Sequence, residues 1–368
     1  MKTARLPRLP ESSKAPVSPE VNEKPSVGPF GLESPRVEEA LDRLLAGLTL
    51  LNSQIESRFV FPDGRRLFCF LDQDPIVNAA ADRPRGASSY RVLFARGLVV
   101  WADSMAATIA TFQSTDFQGQ AIAPLELSIS GAANPNAALQ MRLDQVEKNL
   151  PIEQAGFWES VFQTLLLTVY AHEIAHVVCG HVDYAESLGL ARRMTDERAA
   201  RTERSLSAST RHLEAEADFY AGRLLSEFAF APPDCLPKLG LNTPRENLVM
   251  MLLTFGLFTV GLEHEDAQLG ARSSNYPTPF LRLVHLAVSM RRGWLSQRSP
   301  GEFWEEVFMP TMELMAIFEP IFPEIDLLRD FQEPEAIENL QKEANEILDE
   351  SVRNQMKIQA FSFEERGR

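Results

Sequence analysis

Cysteine is scarce in this chain of 368 residues: there are three, they lie far apart, and none forms a CxxC pair. An odd number of scattered cysteines (Cys69, Cys179 and Cys235) argues against a disulfide framework and against a zinc knuckle made of thiolates. Long apolar runs are also missing. The longest uncharged one, 248–262, has 15 residues. This is short of the roughly 20 residues that cross a membrane, so it predicts a buried core helix.

Basic residues are outnumbered as well, with 36 Lys and Arg against 51 Asp and Glu and a net charge of −15. A surplus of negative charge argues against unspecific binding to nucleic acid or to anionic membranes. No apolar stretch follows the first basic residues, so the beginning of the chain does not resemble a secretory signal. We therefore expect a cytoplasmic protein without nucleic-acid or membrane partners.

The two ends of the chain differ in composition from its middle. Residues 1–36 hold seven of the 24 prolines, mixed with Ser, Lys and Glu, and predict a disordered tail. Near the other end, 302–350 carries fifteen acidic and two basic side chains, which is almost all of the net charge. We predict a globular domain over 37–320 and an acidic helical extension over 321–368.

Hydrophobic periodicity predicts a small sheet over part of 37–150 and a helical body over 151–320. Three stretches have strand character: a hairpin over 59–70 around Pro62-Asp63-Gly64, strands over 90–101, and the alternating stretch 124–130. We expect 124–130 to be an edge strand to which an extended polypeptide can add. Helices are predicted from Val37 and over 135–149, 154–180, 209–229, 244–262, 277–293, 301–318 and 334–357. The fold class is α+β and predominantly helical.

Histidine is rare too, yet three of the six residues lie in His172-Glu173-Ile174-Ala175-His176-Val177-Val178-Cys179-Gly180-His181. On a helix, His172 and His176 are offset by about 40° and lie about 6 Å apart along the axis. Two imidazoles can therefore converge on one ion. Glu173 is rotated about 100° from His172, which leaves it free to reach a water molecule on that ion. This HExxH pattern is typical of zinc enzymes.

A zinc site of this kind needs a third protein ligand, and three residues compete for the position. His181 follows Gly180, which resembles a helix C-cap, but its spacing differs from the metzincin pattern. Cys179 belongs to the helix of the His pair, and its side chain is predicted to point away from them. The best candidate is Glu214, on a separate predicted helix.

The helix of Glu214 reads His212-Leu213-Glu214-Ala215-Glu216-Ala217-Asp218. Asp218 lies four residues after Glu214 on the same helical face, where it could orient a ligand imidazole. The small side chains of Ala217 and Ala221 would let this helix approach the His172 helix closely. Glu216 faces elsewhere and is expected to be solvated.

HEIAH followed by the ExxxD of Glu214 and Asp218 resembles the gluzincin metallopeptidases. Three branches are similar: the integral-membrane CAAX-processing and heat-shock zinc proteases, the soluble ImmA/IrrE repressor-cleaving peptidases, and the soluble phage-exclusion peptidases. The membrane branch has a later His-Pro…Arg element, to which Pro277 and Arg282 correspond, with Tyr276 in place of His. Because the chain lacks membrane spans, it is more similar to the soluble branches.

The resemblance implies a zincin-like fold, in which the small sheet packs on the active-site helix, and a metalloendopeptidase activity. One Zn²⁺ per chain is expected on three ligands: His172, His176 and Glu214. Glu173 would be the general base toward a zinc-activated water. The partner would be a polypeptide substrate, a specific cellular protein.

Further residues are expected around the zinc. Three of them would support the ligands from behind: Asp218, Arg282 and His181. Two would stabilise the oxyanion of the reaction: Tyr220 and Tyr276. Two alternatives stay open: an idle zinc-fold module that binds or regulates in phage or stress sensing, and a zinc hydrolase of a small amide. An intact Glu173 argues against the first, and a closed pocket would favour the second.

Overall fold

A computed structural model describes residues 34–84, 87–114, 134–150, 152–187, 207–230, 243–268, 277–295, 302–318 and 334–365. The predicted strand 124–130, Tyr276 and most of the Pro-rich tail lie outside these residues. Within them the chain is mostly helical and has one three-stranded sheet. The prediction of a predominantly helical α+β protein is therefore confirmed.

The sheet consists of β1 (Arg66–Asp72), β2 (Ala79–Asp82) and β3 (Ser89–Ala95), in the order β1-β3-β2. β1 runs parallel to β3, whereas β2 runs antiparallel to β3 and pairs Ala81 with Val92. Among the described residues, β2 pairs with no strand other than β3.

The predicted hairpin over 59–70 is wrong. The first helix, α1 (Pro35–Arg58), continues up to residue 58, so no strand precedes the Pro62–Gly64 turn. Phe59 instead forms an isolated bridge with Glu365, near the other end of the chain. A Pro-Asp-Gly turn marks a change of direction, but it does not say which segments pair.

The strands predicted over 90–101 are half right. β3 ends at Ala95, and α2 (Arg96–Ser114) begins at the next residue. The run 98–101 is fully buried and apolar in every position. Such a short run fits a buried helix as well as a buried strand, so its pattern could not decide between them.

The helices predicted after residue 134 all have counterparts. They are α3 (Pro135–Asn149), α4 (Ala155–Val178), α6 (Ser207–Ala229), α7 (Pro244–Gln268), α8 (Pro279–Leu295), α9 (Met309–Phe318) and α10 (Pro334–Gln359); one short helix between them, α5 (His181–Ser187), was not predicted. A π-helical turn, Trp304–Phe308, leads into α9. Of the ten α-helices in the described part of the chain, five begin with proline, whose missing N–H removes no hydrogen bond in the first turn.

The core is built around α4, which packs against α2, α6, α7 and β2. Among the residues that the structure describes, two helices are long and apolar enough to cross a membrane by length and composition: α4 and the 244–263 part of α7. Their apolar windows are 100% and 72% buried inside the protein, as in core helices of a soluble protein. The core-helix prediction for 248–262 is therefore confirmed.

Two close approaches bring the functional segments together. A Cβ atom at Gly222 of α6 would lie 2.3 Å from the carbonyl oxygen of Leu286, so α6 and α8 touch backbone to backbone. Gly180, with φ +79°, ends α4 as the sequence predicts. Its Cβ would lie 2.4 Å from the carbonyl carbon of Phe361. The acidic end of the chain thus packs on the end of α4, where the Phe363 N–H donates to the Val178 carbonyl at 3.0 Å.

Candidate metal centre

α4 brings His172 and His176 together in the middle of the protein. The two residues lie one helical turn apart, and their side chains are 4% and 0% exposed. Their Nε2 atoms are 3.1 Å apart. Two imidazole nitrogens that face each other in a dry core need a proton or a metal ion between them or beside them.

Glu214 of α6 completes the cluster, as the sequence predicts. Its carboxylate oxygens lie 3.2 Å from His172 Nε2 and 3.5 Å from His176 Nε2. Zinc bonds to nitrogen and oxygen of about 2.0–2.1 Å in a tetrahedron put the ligand atoms about 3.3 Å apart. The three separations of this cluster match that value, so His172, His176 and Glu214 fit a zinc ion.

The charges around the cluster favour a cation. Burial lowers the pKa of His172, but the hydrogen bond and charge of Asp218 outweigh it and raise this pKa to about 9. Burial raises the pKa of Glu214, but His176 and His172 bring it well below its ordinary value. The buried carboxylates therefore outweigh the opposing charge of Arg282, whose Nη2 lies 3.6 Å from Glu214, and draw positive charge to the point where the three ligand atoms meet.

Asp218 supports His172 from the side opposite its ligand nitrogen, whereas Arg282 reaches both sides, with its Nη2 3.4 Å from His172 Nε2. Asp218 lies one turn after Glu214, and its Oδ1 is 2.9 Å from His172 Nδ1. Arg282 of α8 donates to both Asp218 oxygens at 2.9 Å, and its Nη2 lies 3.6 Å from Glu214. Both positions agree with the roles that the sequence predicts for these residues. A carboxylate bound in this way fixes the tautomer and the orientation of a ligand imidazole.

Glu173 lies between α4 and the sheet. Its carboxylate accepts a hydrogen bond from the backbone N–H of Ala81 in β2, and burial raises its pKa to about 7. Its Oε2 has no hydrogen-bond partner among the described residues, although the residue is only 3% exposed. A buried carboxylate with one unused oxygen and a pKa near neutrality is suited to take up and release a proton.

His181, the first residue of α5, reaches His176 from behind, as predicted. Their Nδ1 atoms are 3.0 Å apart, and His181 Nε2 lies 3.3 Å from Glu216 Oε2. Glu216 is thus only partly solvated: its side chain is 41% exposed, as expected, but it also contacts His181. Cys179 does not join the ligands of the first cluster, but its sulfur lies within 4.8 Å of the ligand atoms of His181 and Glu216.

Tyr220 does not lie at the ligands. Its ring packs on Phe59 at 6.2 Å, and the Arg223 guanidinium lies 5.6 Å from the ring centre. Six residues on a helix turn through about 240°, so Tyr220 and Glu214 cannot share a face of α6. The contacts of Tyr220 therefore do not support its oxyanion role, which stays a prediction, and the other candidate, Tyr276, lies outside the described residues.

The sequence analysis did not predict two contacts of the site: the contact of Glu216 with His181 and that of Ala81 with Glu173. Neither has a signature in a single sequence, because each depends on how separate elements pack. No family model matches the chain, and neither the curated proteins nor the solved structures give a match. The geometry and the chemistry of the residues therefore carry the functional argument.

Proposed function

We propose that this protein is a zinc-dependent metallopeptidase of the gluzincin type, with a zincin-like fold, that cuts a polypeptide substrate. The observation that carries the proposal is the tetrahedral spacing of His172, His176 and Glu214, next to the buried carboxylate of Glu173. Zinc held there would supply a Lewis acid, which acidifies a water molecule and polarises the carbonyl of the scissile bond.

Glu173 would carry the proton in this reaction. Its unused Oε2 and its pKa of about 7 suit it to accept a proton from the attacking water. It would then pass this proton to the nitrogen of the leaving amine. A module that only binds zinc has no use for such a base, which is why we favour an enzyme over an idle zinc fold.

Strand β2 supports a peptide as the substrate. The Ala95 N–H donates to the Asn78 carbonyl at 3.0 Å, so Ala80 and Asp82 follow as the residues hydrogen-bonded to β3. In an antiparallel pair the alternate residue, Ala81, then turns its backbone away from β3. There its N–H meets Glu173. An extended peptide beside β2 would thus have its backbone at the general base, as in strand addition.

One observation favours the hydrolase of a small amide as a second candidate. The ligand side chains of His172, His176 and Glu214 are no more than 4% exposed, which suits a small closed pocket. The two candidates share the ligands and the base, and they differ only in what reaches them. The test must therefore measure both metal binding and the size of the substrate.

Glu173→Gln separates the base from the ligands. The substitution keeps the shape of the side chain and all three ligands, so about one equivalent of zinc should remain bound. Turnover should fall by about a hundredfold or more. Glu214→Gln, as the matched control, removes a ligand and should lower both zinc affinity and turnover.

The substrate is measured by profiling new protein N-termini after a proteome is incubated with wild type or Glu173→Gln. New termini that only the wild type produces support the peptidase. Hydrolysis of small amides without new termini would replace the peptidase by the second candidate. Equal loss of zinc in both variants would show that Glu173 is a ligand and not the base.

A further inference from the structure

We propose that His181 and Glu216 are positioning residues that hold His176 on the metal through a chain of two hydrogen bonds. The inference rests on the proposed function, since it concerns a ligand of the same site. It also argues against a second metal site on Cys179, His181 and Glu216.

Three elements form the chain. His176 belongs to the last turns of α4, His181 opens α5 directly after the Gly180 turn, and Glu216 lies on α6. The separations are 3.0 Å between the Nδ1 atoms of the two histidines and 3.3 Å between His181 Nε2 and Glu216 Oε2.

The tautomers of the two histidines decide which atom donates and which accepts in each of these hydrogen bonds. When His176 binds a metal through Nε2, its remaining proton is on Nδ1 and can only donate. His181 Nδ1 must then accept, which places the His181 proton on Nε2, where Glu216 accepts it. Every nitrogen of the two buried rings is satisfied in this arrangement.

Because His176 and His181 are buried, their ring nitrogens need hydrogen-bond partners within the protein. The side chains of His176 and His181 are both 0% exposed, so water cannot serve either ring, and an unpaired N–H there would be costly. The Glu216 side chain is 41% exposed and brings the chain to solvent. Gly180 allows the geometry, because its φ of +79° turns the backbone so that α5 begins next to His176.

A metal on Cys179, His181 and Glu216 is the competing interpretation, because their ligand atoms all lie within 4.8 Å of one another. That metal would occupy His181 Nε2 and force the proton onto His181 Nδ1. The Nδ1–H of a metal-bound His176 would then face a second N–H at 3.0 Å, and two donors cannot bond. The two metal ions therefore exclude each other in this geometry.

The test is zinc affinity, measured by competition with a chromogenic chelator on the full chain. Glu216→Ala should weaken zinc binding by roughly three- to tenfold, less than the ten- to hundredfold typical of direct partners of a ligand. Glu216→Gln keeps an acceptor for His181 and should recover most of this loss. The matched control is Glu227→Gln on the same helix, because Glu227 is ion-paired and its side chain is also 41% exposed.

Cobalt replacement and Cys179→Ser complete the test. The visible spectrum of the Co²⁺ protein should change in Glu216→Ala and stay unchanged in Glu227→Gln and Cys179→Ser. If Glu216→Ala binds zinc as tightly as the wild type, the proposed role of the hydrogen bonds from His176 to Glu216 is wrong. Two equivalents of zinc, one of them lost in Cys179→Ser, would establish the second metal site instead. If zinc binding survives Glu214→Gln and His176→Ala, the proposed function fails, whatever the Glu216 variants do.

Discussion

The two ligand imidazoles are held by supports of different kinds. Behind His172, Asp218 and Arg282 form a fully buried ion pair with two hydrogen bonds of 2.9 Å. Behind His176, the neutral ring of His181 leads to Glu216, whose side chain is 41% exposed. The support of His172 is thus a charged pair that is buried on all sides. The support of His176 is a neutral relay, namely the hydrogen-bond chain through His181 to Glu216, and it ends at the surface.

The support behind His172 acts through its charge, whereas the support behind His176 acts by fixing which ring nitrogen carries the proton. Burial raises the pKa of Asp218, but Arg282 and His172 outweigh it and leave this pKa below its ordinary value. Asp218 is thus a permanent negative charge, and it raises the pKa of His172 to about 9. The His181 ring brings no charge of its own and selects a tautomer of His176. Substitutions in the Asp218–Arg282 pair should therefore lower both the free energy of unfolding and the metal affinity. Substitutions in the His181–Glu216 pair should lower mainly the metal affinity.

The largest effect is expected from Arg282→Met, which removes the guanidinium that pairs with the buried Asp218 and leaves only His172 beside this carboxylate. Breaking a buried pair in this way costs about 3–5 kcal/mol. Urea unfolding of the metal-free protein measures this loss. The double variant Arg282→Met with Asp218→Asn should be more stable than Arg282→Met alone, because it removes both charges. A double variant less stable than the single one would contradict a charge-based support.

A second buried carboxylate sharpens the comparison, because its environment shifts its pKa the other way. Asp103 of α2 has one contact of 2.9 Å to Arg36, which is 18% exposed. Burial dominates there and raises the pKa of Asp103 from 3.8 to about 7, against the charge of Arg36. The partly exposed Arg36, even together with a smaller contribution from Trp158, thus stabilises the charged carboxylate less than the bidentate Arg282 with its neighbouring imidazole.

The raised pKa gives a pH dependence of known sign. The folded protein binds the Asp103 proton more tightly than the unfolded chain, so this contribution to stability is full below pH about 4 and is lost as the pH rises through 7. Relative to Asp103→Asn, the wild type should lose roughly 2–3 kcal/mol of unfolding free energy between pH 5 and pH 8. Urea unfolding of both proteins at each pH measures it, with Glu147→Gln as the control for the other Arg36 partner. A difference that is constant or grows with pH would contradict the burial argument.

The charged support of His172 by Asp218 and Arg282 could be predicted from the sequence. The part of Glu216 in the neutral relay behind His176 could not. Glu214 and Asp218 follow from helical spacing, and Arg282 follows from a motif resemblance. Glu216 depends on the Gly180 turn, which sets α5 against α6 in a way that no local pattern encodes. The same limit affected the sheet: the strand character of β1 was visible, but its parallel pairing with β3 is a long-range contact. By contrast, helix geometry alone puts Tyr220 and Glu214 on different faces of α6.

The smallest effect is expected from Tyr220→Phe, on a face of α6 that serves neither support. The ring packs on Phe59, and the hydroxyl, although buried, has no hydrogen-bond partner among the described residues. Its removal leaves this packing in place and uncovers no partner, so unfolding free energy should stay within about 0.5 kcal/mol. Turnover and zinc affinity should both stay within about twofold of wild type, since a donor to the developing oxyanion would be worth about a hundredfold or more. A hundredfold loss of turnover with normal zinc content would mean that Tyr220 swings toward the substrate during the reaction, and it would restore the oxyanion role that its resting position argues against.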